Sequence, residues 1–191
     1  MAAHLYWRIN VSSNNGGSFL SIAEVEMRAT VGGADQCNGG TASVSSSAAS
    51  SGADAFDNDP VTRWSTNAYP SWLQYQFLSP VDVAQYTIQV HNTDGTRAPK
   101  DWTFEYSDNG STWTVADTRV NETGWTAGEI RSYSVAVITN ARLSQMALEV
   151  LRFPTSVNAR VSQIVLEVLR PNVALAPTPT GDQVQRYNVN G

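Results

Sequence analysis

The sequence predicts an all-β chain folded as an antiparallel β-sandwich. Trp and Tyr are plentiful, Lys is nearly absent, and Ser, Thr, Asn and Gly are common, a composition that favours strands and turns over helices. Several short stretches alternate apolar and polar residues with period two. Clusters of Asn, Asp, Gly and Pro punctuate them. The 191 residues, 41% of them apolar, suit one domain of about 130–150 residues with a real core, plus an appendage.

The elements follow in order. YWRINV (Tyr6 to Val11) alternates as a strand, and NNGG (Asn14 to Gly17) is a turn signal. FLSIAEVEMRA (Phe19 to Ala29) reads as a second strand. Its Ile22, Val25 and Met27 break the alternation, which points to a bulge. Gly32 to Gly52 is small and polar; a flexible linker and an ordered surface segment both fit, and the core-like region directly after it favours order. WLQYQF (Trp72 to Phe77) is a strand. From Val83 onward, Ala84, Tyr86, Ile88 and Val90 alternate with Gln85, Thr87, Gln89 and His91, the pattern of a strand with one buried face. WTFEYS, the turn DNGS and TWTVAD form an antiparallel pair, and IRSYSVAV (Ile130 to Val137) adds another strand. Trp64, Trp72 and Trp102 are expected in the core. The lone Cys37 is expected to be a partly buried small residue outside any intrachain disulfide.

The C-terminal part is a different object. NARLSQMALEVLR (Asn140 to Arg152) recurs as NARVSQIVLEVLR (Asn158 to Arg170), an internal repeat. Leu143, Met146, Ala147, Val150 and Leu151 fit a helical stripe, whereas Met146, Leu148 and Val150 fit a strand face. The β-branched second copy favours strands. The sequence therefore divides into a sandwich at 4–138, a twofold repeat at 139–171 and an extended arm at 172–191.

Composition also excludes functions. Twelve basic against seventeen acidic residues, with no basic cluster, argue against a nucleic-acid backbone as partner. No apolar run is long enough for membrane insertion, and the first ten residues lack the features of a signal peptide. With only His4 and His91 and one Cys, a His/Cys metal cluster is not expected. No phosphate-cradling glycine–lysine loop and no G-x-S-x-G elbow is present, so no enzyme activity is expected.

AFDNDPVTRWST (Ala55 to Thr66) concentrates oxygen donors around a proline just before Trp64; it fits either a polar turn or a cation site. Together with PSWLQYQF, YTIQVHN and RAPKDWTFEYSDNGSTWT, it resembles the discoidin domain, also called coagulation factor 5/8 type C or galactose-binding-like. In that family the final strands read like YWRINV and SIAEVEM, which here stand at the front, so the chain resembles a circularly permuted member. The resemblance implies a jelly-roll sandwich with a calcium site. Asp57 would give a carboxylate, Asp54 and Asp59 backbone carbonyls, Thr62 its hydroxyl, its carbonyl or both, and the adjacent Ala23 and Glu24 a carbonyl and a carboxylate. It also implies a sugar site at the loop end, with Tyr69, His91, Asn92 and Arg97 as candidates.

Two functions are carried forward. The first is a structural, adhesive component of a tailed-bacteriophage virion, assembled in the host cytoplasm. The sandwich would face outward, and residues 139–191 would join other virion proteins and further copies of the chain, because exposed apolar repeats call for burial in an oligomer. The repeat resembles short repeats of phage virion proteins. The second is a lectin-like module that binds a cell-surface glycan.

Overall fold

The computed structural model describes residues 2–48 and 50–135. They belong to a compact unit spanning Met1–Ile138. The repeat at 139–171 and the arm at 172–191, expected from sequence, lie outside the described residues.

The described chain forms nine strands: β1 (His4–Asn14), β2 (Leu20–Arg28), β3 (Thr41–Val44), β4 (Trp64–Thr66), β5 (Ser71–Val81), β6 (Gln85–Val90), β7 (Pro99–Ser107), β8 (Thr114–Arg119) and β9 (Ile130–Ser134). They build a five-stranded sheet in the order β3-β5-β1-β7-β8 and a four-stranded sheet in the order β4-β2-β6-β9, with every pairing antiparallel. This is the expected β-sandwich.

The first two strands go to different sheets, and neither lies at an edge. β1 runs between β5 and β7, pairing Ile9 with Leu73 on one side and with Phe104 on the other. Its alternation puts Trp7, Ile9 and Val11 into the core, all fully buried. β2 runs between β4 and β6. Its register against β6 shifts between Ile22 and Glu24, the bulge that the broken alternation foretold. The inward phase therefore passes from Leu20 and Ile22 to Val25 and Met27, and all four are buried.

The core is aromatic. Tyr86 stacks on Phe104 at 4.1 Å between ring centroids, and Trp7 on Phe104 at 5.1 Å. The Tyr86 hydroxyl donates to Asp117 Oδ2 at 2.8 Å and accepts from Trp102 Nε1 at 3.0 Å. Burial, then the nearby Asp117 carboxylate, push this phenol's pKa up. Replacing Tyr86 by Phe strands the buried indole N–H and removes a donor from Asp117. The Tyr86→Phe chain is expected to lose about 1–3 kcal/mol in urea unfolding; an unchanged midpoint would show that water replaces the bond.

Three expectations need adjustment. Trp64 and Trp102 are buried as expected, but Trp72 points outward and is only half-buried, with the Arg8 guanidinium 6.0 Å from its ring centroid. In β6, the face expected to be open is also covered: Gln85 and Thr87 are buried. The 29–36 loop folds over that side, and the Gly32 amide donates to Gln85 Oε1 at 2.9 Å. Gly32 to Gly52 contributes β3, whose Ser43 pairs with Gln74, in keeping with the favoured reading of an ordered segment. Cys37 is fully rather than partly buried, and burial pushes its thiol pKa up.

Candidate functional site

Two neighbouring features occupy one region of the sandwich, an oxygen cluster and a cleft. The cluster starts with the 3-10 turn Ala53–Ala55 and the turn after it. The Asp59 amide donates to Asp57 Oδ1 at 2.9 Å, the Thr62 amide to the Asp59 carbonyl at 3.1 Å, and the Val61 amide to Asp59 Oδ1 at 3.0 Å. These bonds curl the loop inward. Asn58 sits at its apex with φ +60°, a left-handed backbone that Asn tolerates better than most residues.

The curl brings oxygens together. Thr62 Oγ1 lies 3.1 Å from the Asp54 carbonyl, 2.8 Å from the Asp59 carbonyl, and 3.0 and 2.9 Å from the two Asp57 carboxylate oxygens. A hydroxyl has one proton, so it can satisfy one of these four acceptors. The β2 bulge delivers Glu24 to the same place. Glu24 is buried, and its Oε1 has no hydrogen-bond partner. Burial, followed by the adjacent Asp57 carboxylate, raises the Glu24 pKa to about 8, while the Asn58 and Asp59 amides pull it the other way. Asp57 moves in the opposite sense. Despite a burial effect that works against it, the Asp59 amide, the Thr62 hydroxyl and the Glu24 carboxyl hold it below the usual aspartate value. Glu24 is therefore the more readily protonated of the two carboxyls.

This donor set fits a hard cation. Acceptor oxygens face one another with a single hydroxyl proton among them, and an orphaned carboxylate oxygen is buried alongside. Among the described residues no group of three or more His, Cys, Asp or Glu side chains is placed to hold a metal. The set here has two carboxylates and takes its other oxygens from carbonyls and a hydroxyl, the chemistry of calcium rather than of zinc. Of the six residues expected at a calcium site, Asp54, Asp57, Asp59, Thr62 and Glu24 converge. Ala23 is buried at the bulge beside Glu24.

The cleft adjoins the cluster. It has a volume of about 290 Å³, and its lining includes Phe19, Ser50, Ser65, Arg63 and Arg97, together with Asp54 and Thr62 from the cluster. Local bonding fixes each wall. The Ser65 amide donates to Ser50 Oγ at 2.7 Å, and the Ser21 and Ser65 hydroxyls bond at 2.8 Å, so Ser50 is held to β4 and β4 to β2. Asp94 caps the 3-10 turn Gly95–Arg97 by accepting from the Thr96 amide at 3.0 Å, and it also accepts from Arg97 Nε at 3.0 Å. The Thr96 hydroxyl and then its amide, acting with Arg97 against slight burial, hold the Asp94 carboxyl below its usual value. Gly17 donates to the Thr96 carbonyl at 3.0 Å; a Cβ there would come within 3.0 Å of Thr96 Oγ1 and Arg97 Cγ. Glycine allows this approach without displacing its neighbours, and Phe19 lies beside Arg97, with the guanidinium 5.7 Å from the ring centroid.

Of the expected sugar contacts, Arg97 lines the cleft. His91 is buried beside it, and its Nδ1 accepts from the Thr93 amide at 3.1 Å. Burial, then Arg63 and Arg97, push the His91 pKa down. Tyr69 and Asn92 are exposed and are not among the residues lining the cleft. Sequence reasoning missed Arg63, Phe19, Ser50 and Ser65. Arg63 stands in the quoted AFDNDPVTRWST motif beside the core Trp64, and that position was the available signal.

A family model of the F5/8 type C domain matches residues 40–165. The chain belongs to the F5/8 type C, or discoidin, family. No curated protein and no solved structure matches it. Discoidin domains are binding modules that take carbohydrates or proteins. Here the match begins just before β3, so β1 and β2 precede it although both are interior strands of their sheets. Among the described residues no helix is long and apolar enough to cross a membrane.

Proposed function

We propose that this discoidin domain is a non-enzymatic adhesive module that holds a surface glycan in the cleft beside a calcium-stapled loop. One observation carries the reading: Asp54 and Thr62 belong both to the oxygen cluster and to the cleft wall, so the loop that would hold the ion also shapes the binding surface. The lining mixes an aromatic ring, hydroxyls and guanidinium groups, the chemistry that recognises a sugar's apolar face and polar rim. The full chain on a glycan array is expected to retain a defined set of glycans, and Phe19→Ala is expected to abolish retention. An array with no retained glycan would overturn the reading.

The setting we propose is a tailed-phage particle, with the sandwich outward and residues 139–191 joining copies of the chain or other virion proteins. The repeat at Asn140 to Arg152 and Asn158 to Arg170 supports this placement, since apolar segments that recur outside the sandwich call for burial in an assembly. Light scattering after size exclusion tests it: an oligomer that becomes a monomer on removal of residues 140–191 is the expected result, and a monomeric full chain would count against it.

A further inference from the structure

We propose that the cleft takes a carboxylated sugar, a uronic or sialic acid residue, whose carboxylate is gripped by Arg63 and Arg97. This rests on the glycan reading above and names the chemical class of the ligand.

The argument is a tally of donors and acceptors. The neutral polar groups of the cleft are already engaged. Ser50 Oγ accepts from the Ser65 amide and donates to the Ser65 carbonyl at 3.3 Å, and the Ser65 hydroxyl is bonded to Ser21. Asp54 Oδ2 accepts from the Ser51 amide at 3.0 Å. The guanidinium groups are different. Arg97 is tethered through Nε to Asp94, and its terminal nitrogens bond to no acceptor among the described residues. Arg63 is half-buried, and among the described residues its guanidinium has neither a hydrogen bond nor an ion pair, although Asp54 lines the same cleft. A guanidinium offers five N–H donors in a planar fork. The cleft therefore sets the uncommitted N–H donors of two guanidinium groups against a single carboxylate, Asp54, which the Ser51 amide already engages in part, so a ligand that brings acceptors of its own suits it.

A carboxylate matches this need in shape and in charge, because its two coplanar oxygens accept the fork in parallel. Diffuse attraction does not explain the preference. The chain as a whole carries a net charge of −5, so its long-range field does not draw anions, and the preference comes from local contact with the two arginines. His91, buried beside both arginines, reports their combined field: burial first and then the two guanidinium charges disfavour its protonation. It adds no third cation to the pair.

Matched ligand pairs test the proposal on the full chain by calorimetry: trigalacturonic acid against its methyl ester, and sialyllactose against lactose. At least one acid is expected to bind about ten- to a hundredfold more tightly than its uncharged partner, the effect of a charge-assisted hydrogen-bonded pair. Arg63→Gln and Arg97→Gln are each expected to remove that advantage. Arg63 makes no bond within the described fold, so Arg63→Gln should keep the melting temperature, which is measured alongside. If the uncharged member binds as well as the acid, or the arginine variants keep the preference, the acid assignment falls while the glycan reading stands. If none of the four binds and the array is blank, both fall.

Discussion

A chain lacking residues 1–28 is expected to be unfolded, whereas a chain ending at residue 138 is expected to melt close to the full-length protein. β1 and β2 are interior strands, so their removal opens both sheets rather than shortening an edge. It also takes Trp7, Ile9, Val11, Leu20, Ile22, Val25 and Met27 from the core, each at most 1% exposed. Burial of each such side chain contributes about 1.5–3 kcal/mol. Their combined loss matches or exceeds the whole net stability of a domain, about 5–15 kcal/mol. Far-UV circular dichroism and thermal melts of the two truncated chains decide the matter. The test also bears on the permutation that the sequence suggests. The family match extends to residue 165. If the front-deleted chain folds and the chain ending at residue 138 does not, the segment beyond 138 closes the sandwich in place of β1 and β2.

Calcium at a hundredfold excess over its dissociation constant is expected to raise the melting temperature by about 5–10 °C, since such an excess contributes about 2.7 kcal/mol. The shift is expected to grow with pH. In the metal-free chain the Glu24 pKa is raised to about 8 from an ordinary 4.5. The folded state thus holds a proton that the unfolded state releases. Its contribution is fully present below pH 4.5, declines above it, and is lost as the pH rises through about 8. A chelated sample should therefore melt lower at pH 8 than at pH 6. A cation replaces that proton, so the calcium-loaded sample should not show this decline. Glu24→Gln separates the two effects: the amide mimics the protonated acid, so the chelated variant should lose the decline and respond little to calcium. Asp57→Ala should abolish the calcium response altogether. Melts that coincide with and without chelator at pH 8 would remove the cation from the account.

Much of this was legible in the sequence, and the exceptions have physical causes. Alternation revealed β1, β5, β6 and β7 because one side of each carries large apolar residues. The break at Ile22, Val25 and Met27 revealed the bulge. β4 was not legible: Trp64–Thr66 is too short for periodicity and is defined by its pairing with Leu20–Ile22. Trp72 misled because its indole is apolar and its neighbours alternate, yet its partner across the strands is Asn10 on the outer face. The oxygen cluster was legible as a resemblance and as composition, but the one-proton argument at Thr62 needs distances. Arg63 was visible in the motif, but that its guanidinium finds no partner among the described residues depends on its placement in the fold, which no linear pattern carries.

The central place of β1 also has a cost during synthesis. Arg8 meets Glu105 across 97 residues of sequence, and Tyr6 pairs with Ser107. At about 5–20 residues per second, a growing polypeptide waits several seconds between making β1 and making β7, the later of the two strands that flank it. Trp7, Ile9 and Val11 stay uncovered on the ribosome throughout that interval, so slow translation should favour aggregation of this protein, and a holding chaperone should raise its soluble yield.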